Sequence, residues 1–161
     1  MINKVGQFLK VSNIEFSKYF KNNEIYDKII LPKRATQGSA GYDFYLPDDI
    51  ILEYGKSIIV PTGVKAIISP GWFLSIFPRS SLGFKYKVSL DNTVGIIDSD
   101  YSNALNEGHI LVKITAYMED KKPLILKKGE RFVQGIFMAY GITIDDKVIE
   151  MRTGGIGSTS K

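Results

Sequence analysis

The sequence predicts an all-β domain of sandwich, jelly-roll or barrel type, and three observations carry that prediction. Short β-rich runs recur along the chain, turn residues separate them about every 8–12 positions, and one run alternates cleanly. In that run, Ile110 to Tyr117, the residues Ile110, Val112, Ile114 and Ala116 share a face, as a half-buried strand requires. With 161 residues, 44% hydrophobic and 24% charged, the chain can bury one real core but not two.

Taken in order, the start MINKVGQFLK has no continuous apolar run, so no signal peptide is expected and the protein is placed in the cytoplasm. Ser12-Asn13-Ile14-Glu15 fits a capping box, with Val11 and Phe16 as its hydrophobic staple, and predicts one helix to about Phe20. Strands are predicted at Lys28–Leu31, Tyr42–Leu46, Ser57–Val60, Val64–Ile68, Trp72–Phe77 and Tyr86–Leu90. Four more follow at Ile110–Tyr117, Leu124–Leu126, Arg131–Phe137 and Tyr140–Ile144. Pro47-Asp48-Asp49, Tyr54-Gly55, Pro61-Thr62-Gly63, Pro70-Gly71 and Lys128-Gly129 supply turns between them. The last ten residues, from Arg152 to Lys161, hold three glycines and little to bury. The chain therefore divides into a body, 1–151, and a flexible glycine-rich arm, 152–161.

Composition removes several chemistries. There is no cysteine, so disulfides, zinc knuckles, Fe–S clusters and a thiol nucleophile are excluded. A single histidine, His109, cannot build a His-rich metal centre and reads as a surface or packing residue. The uncharged stretch Ala66–Pro78, which no other exceeds in length, is too short and too broken to span a bilayer, and no membrane association is expected. The net charge of +4, from 21 Lys+Arg against 17 Asp+Glu, reads as a mildly basic solvated surface, with no like-charge block that would mark a nucleic-acid partner.

Five segments stand apart from strand-and-turn filler. Ala40-Gly41-Tyr42-Asp43 places a carboxylate just after a glycine turn. Pro78-Arg79-Ser80-Ser81-Leu82-Gly83 sets an arginine beside two hydroxyls, a suitable phosphate clamp. Asn92 to Tyr101 is hairpin-like, with Asp98 and Asp100 on one face if extended. Gly129-Glu130-Arg131-Phe132-Val133-Gln134 puts an amide in an apolar strand. Arg152-Thr-Gly-Gly-Ile-Gly-Ser-Thr offers backbone N–H groups, hydroxyls and a guanidinium to phosphate oxygens.

In this order, from about Leu31 to Lys161, the segments resemble the five motifs of the trimeric deoxyuridine triphosphate nucleotidohydrolases, the dUTPases. The resemblance implies an all-β jelly roll of β-clip type with a short N-terminal helix and a flexible C-terminal arm. It also implies a homotrimer with shared active sites, and hydrolysis of dUTP to dUMP and pyrophosphate. That reaction limits uracil in DNA and supplies dUMP for dTMP synthesis. Asp98 would be the general base for water attacking the α-phosphorus. Asn92 and the hairpin backbone at Gly95 and Ile97 would read the uracil edge, close packing at Gly95 would reject a 5-methyl group, and Tyr101 would lie under the deoxyribose. Arg79, Ser80 and Ser81 would hold phosphate oxygens and Gln134 the α-phosphate region. Arg152, Gly157, Ser158 and Thr159 would close on the γ-phosphate. Mg²⁺ would be held by the triphosphate and water, with Asp43 reaching it through water.

Two departures mark this chain. Ile156 stands where the family's arm usually carries an uracil-stacking phenylalanine, and residues 102–108 are inserted after Tyr101. The insertion and the N-terminal helix are similar to the branch found in Gram-positive bacteria and their phages. A dCTP deaminase, alone or bifunctional with dUTPase activity, shares the Arg79-Ser80-Ser81-Leu82 pattern. It needs a glutamate on the strand after the hairpin, and Ile110–Tyr117 has no acid. A phage-type dUTPase that also binds a regulatory protein partner is the other alternative.

Overall fold

The computed structural model describes residues 2–150 together with Arg152 and Gly154. Twelve strands form among these residues, and every strand pair is antiparallel. The largest sheet has five strands in the order β2 (Lys33–Arg34), β3 (Tyr42–Tyr45), β12 (Arg131–Ala139), β7 (Trp72–Pro78) and β9 (Gly95–Ile97). A second sheet runs β5 (Ile58–Pro61), β10 (Leu111–Thr115), β8 (Ser89–Leu90). Two-stranded ribbons pair β1 (Gly6–Lys10) with β6 (Val64–Ile68), and β4 (Ile50–Leu52) with β11 (Leu124–Leu126). Phe44, Leu74, Ile76, Phe132 and Val133 from the large sheet enter one core with Val60, Leu90, Val112 and Ile114 from the second. The all-β expectation holds, and no helix among the described residues is long and apolar enough to cross a membrane.

The helical expectation is half right. Ser12 caps α1 (Asn13–Phe16), its hydroxyl accepting from the Glu15 N–H at 3.1 Å, and Val11 and Phe16 are both buried. Glu15 does not return to Ser12, however. The Ser12 N–H donates to Glu107 at 3.0 Å, and the Glu15 carboxylate faces Lys18 and His109 instead. A second helix, α2 (Asn23–Asp27), forms where none was expected, because the Asn22 side chain caps it by accepting from the Glu24 N–H at 2.9 Å.

Other corrections share one physical cause, that pairing partners are remote in sequence. Gly6–Lys10 carries no clean alternation yet pairs along its whole length with β6. Lys28–Leu31 is not a strand; the chain leaves α2 there and pairs only at β2. Tyr86–Leu90 is split, since α3 (Ser80–Tyr86) ends at Lys87 in the left-handed region (φ 51°), leaving β8 just two residues. Tyr140–Ile144 forms no strand, and Ile142 and Ile144 are exposed.

Candidate active site

The hairpin around β9 builds one wall of a cleft of about 550 Å³. Asn92, Gly95, Ile97, Asp98 and Tyr101 line it from the hairpin side, Val112 and Lys113 from β10, and Arg152 from the chain's end. β9 is the edge strand of the large sheet, with Gly95 opposite Ile76 of β7, and a Cβ on Gly95 would lie 3.1 Å from the Ile76 Cβ.

Asp98 and Asp100 meet, but not by lying on an extended strand. β9 stops at Ile97, and the Tyr101 N–H closes a turn on the Asp98 carbonyl at 3.1 Å. The two carboxylates converge on one guanidinium, Arg152 Nε donating to Asp100 Oδ1 at 2.9 Å and Nη2 to Asp98 Oδ2. The same guanidinium lies over the Tyr101 ring, 5.7 Å from its centroid. Tyr101 is itself buried.

Asp43, Arg79 and Gln134 form a second group outside that cleft. Arg79 Nε donates to Asp43 Oδ1 at 3.1 Å and Arg131 Nη1 to Oδ2 at 3.2 Å, so both carboxylate oxygens are engaged. Gln134 sits opposite Asp43 on β12, and its amide donates to the Pro78 carbonyl at 3.4 Å. Gly41 lies beside it, and a Cβ there would lie 2.6 Å from Gln134 Oε1, so a side chain at 41 would displace the Gln134 amide. Ser80 and Ser81 are exposed on the first turn of α3, where backbone N–H groups favour an anion. Gly157, Ser158, Thr159 and Ile156 lie outside the described residues.

Sequence reasoning missed Asp91, Lys113 and Arg131. Asp91 lines the cleft, and its carboxyl is held below its usual range chiefly by the Thr115 hydroxyl, with Lys113 Nζ 3.1 Å away. The alternation of β10 was a usable signal for Lys113, because it is the exposed residue between buried Val112 and Ile114. His109, read as surface or packing, is fully buried. Nε2 accepts from the Gly63 N–H at 2.9 Å, which leaves Nδ1 as the donor to Glu15 Oε1 at 3.3 Å.

A family model described as dUTPase matches residues 27–160. This chain belongs to the dUTPase family. The deoxyuridine 5′-triphosphate nucleotidohydrolase of Lactococcus lactis is 37% identical over 154 residues, 94% of this chain and 99% of that protein. The crystal structure of the Streptococcus mutans dUTPase superposes with a TM-score of 0.67 at 38% identity, covering 86% of this chain and 98% of that one. The Staphylococcus bacteriophage 80alpha dUTPase, solved with dUpNHpp, gives a TM-score of 0.67 at 18% identity over 96% and 94%, and so shares the fold. Both the dUTPase jelly roll and the Gram-positive and phage likeness expected from the motifs are therefore found.

Proposed function

We infer that this dUTPase-family enzyme hydrolyses dUTP to dUMP and pyrophosphate, with Asp98 as general base. What supports the reading most is the cleft that gathers Asp98, Asn92, the Gly95–Ile97 backbone and Tyr101 into one wall. Asn92 and the hairpin backbone would present donors and acceptors to the uracil edge, and a 5-methyl group would meet the hairpin backbone at Gly95. Asp98 takes a proton from water as its oxygen attacks the α-phosphorus, and the bond to the bridging oxygen of the β-phosphate breaks.

Arg152 starts on Asp98 and Asp100. When a triphosphate arrives, the guanidinium exchanges two carboxylates for γ-phosphate oxygens, freeing Asp98 and clearing the space over Tyr101 for the deoxyribose. Gly157, Ser158 and Thr159 close with it.

Arg79, Ser80, Ser81 and Gln134 bind the phosphates, and they stand apart from the hairpin cleft of their own chain. Sites completed between three copies reconcile the two groups, and the exposed Ile142, Ile144, Val148 and Ile149 offer apolar surface to neighbours. Among the described residues no three His, Asp or Glu side chains close a metal cage. A Mg²⁺ would be held by the triphosphate and water, and Asp43, now on Arg79 and Arg131, would reach it through water. The ion supplies charge neutralisation on the phosphates.

Pyrophosphate release from a panel of dNTPs, with and without EDTA, tests the reading. Release from dUTP alone, lost on chelation, is expected. Ammonia from dCTP at a comparable rate would instead make the chain a deaminase, against the absence of any acid on β10.

A further inference from the structure

Residues 102–108 fold back on Tyr101. Asn106 Nδ2 donates to the Tyr101 phenol oxygen at 2.9 Å, while the phenol donates to the His109 carbonyl at 3.2 Å. The orientation of the Asn106 amide is itself fixed, because its Oδ1 accepts from the Gly108 N–H at 3.2 Å and its backbone carbonyl from the His109 N–H at 2.9 Å.

The chain reaches this geometry through two consecutive left-handed residues, Glu107 (φ 58°) and Gly108 (φ 74°). Only glycine fits at 108, where a Cβ would lie 2.7 Å from the Ser102 Cα and 2.9 Å from the Tyr101 carbonyl oxygen. Glu107 is tied down by the Ser12 N–H and hydroxyl and by Lys65 Nζ at 3.0 Å. Beyond it, the His109 imidazole is locked between the Gly63 N–H and Glu15.

We propose that Asn106 is a positioning residue for sugar selectivity, clamping the Tyr101 phenol so that the ring cannot recede from a ribose. This rests on the placement of Tyr101 under the deoxyribose given above. Its logic is mechanical. An apolar wall rejects an added hydroxyl only weakly unless it refuses to move, and the energy of that refusal comes from whatever holds the ring. Packing alone leaves the phenol free to shift along its own plane, whereas a donor and an acceptor at its oxygen fix both position and rotation.

Steady-state kinetics with dUTP and UTP test it, using the wild type, Asn106→Ala, Tyr101→Phe, the double variant and Tyr101→Ala. Asn106→Ala should lower the dUTP/UTP ratio of kcat/KM about three- to tenfold, the scale of one lost neutral hydrogen bond. Its kcat on dUTP should stay within about twofold of the wild type, since no group at the phosphorus is touched. Tyr101→Phe, which also removes the bond to the His109 carbonyl, should lower the ratio at least as far, and the double variant no further than Tyr101→Phe, because the Asn106 bond is already gone there. An unchanged ratio in Asn106→Ala, or additive losses in the double variant, would overturn the role of Asn106. Should Asn106→Ala melt too low to assay, Tyr101→Phe decides alone, and an unchanged ratio there sinks the proposal. Tyr101→Ala separates the two levels. If it leaves discrimination intact, the placement of Tyr101 under the sugar fails first; if it abolishes discrimination while Asn106→Ala does nothing, only Asn106 is wrong.

Discussion

Asp98 and Asp100 share Arg152 in the cleft, yet removing their charges should have different consequences. Asp98→Asn is expected to cut kcat about 10²–10⁴-fold with little change in nucleotide affinity, the range for losing a general base. Full turnover in Asp98→Asn together with loss in Asp100→Asn or Asp43→Asn would reassign the base. Glu107 gives a pH test. Its carboxyl is lowered from 4.5 to about 2, chiefly by the Ser12 hydroxyl. A carboxyl held lower when folded than when unfolded stabilises the fold above 4.5 and loses that contribution as pH falls from 4.5 toward 2. Glu107→Gln should therefore melt below the wild type at pH 7, with the gap narrowing as pH drops through that window. A gap that stayed constant with pH would remove the charge from the account. The site residues legible in the sequence were those inside local strings, such as Asp98 and Tyr101. Asp91 and His109 were not legible, because Thr115, Gly63 and Glu15 reach them only through tertiary folding.

At the level of elements, the arm is where the sequence and the chemistry meet. Of its residues, Arg152 and Gly154 are described, and Arg152 already touches the cleft. Ordering a glycine-rich segment costs about 1–2 kcal/mol per residue, which charge-assisted contacts to a triphosphate can offset. The expectation that the arm is disordered without ligand concerns residues that lie largely outside those described. Truncation after Met151 should lower kcat while uracil selectivity, which the proposed reading assigns to the hairpin, survives. Hydrolysis of dUTP at the full rate by the truncated enzyme would leave the arm no catalytic part. Ile156→Phe should lower KM for dUTP by restoring a stacking ring; an unchanged KM would mean that another aromatic already caps the base. Strands with clear alternation or dense β-branched runs, among them β6, β7, β10 and β12, were readable from the sequence. β1 was not, because only Phe8 along it is buried and its register comes from β6. Nor was α3, which occupies the clamp segment after the strand predicted to end at Phe77 and takes in Tyr86, the first residue of the next predicted strand.

For the whole molecule, a homotrimer is expected, and light scattering at micromolar concentration should return three times the chain mass. A fully active monomer would exclude shared sites. The all-β class was readable from turn spacing, whereas shared sites were expected only through the family resemblance, since no periodicity encodes which surface meets a neighbour. The contacts between α1 and the 102–108 loop also bear on ancestry. Ser12 and Glu107 lie 95 positions apart, Glu15 and His109 lie 94 apart, and the matched family region begins only at residue 27. Deleting the helix would leave Glu107 with Lys65 alone and take the acceptor from the His109 Nδ1–H, and deleting the loop would take the acceptor from the Ser12 N–H. Each deletion leaves a polar group of the other segment short of a partner, so lineages should tend to gain or lose them together. Any descendant that kept a single half should show apolar replacements at the positions left behind.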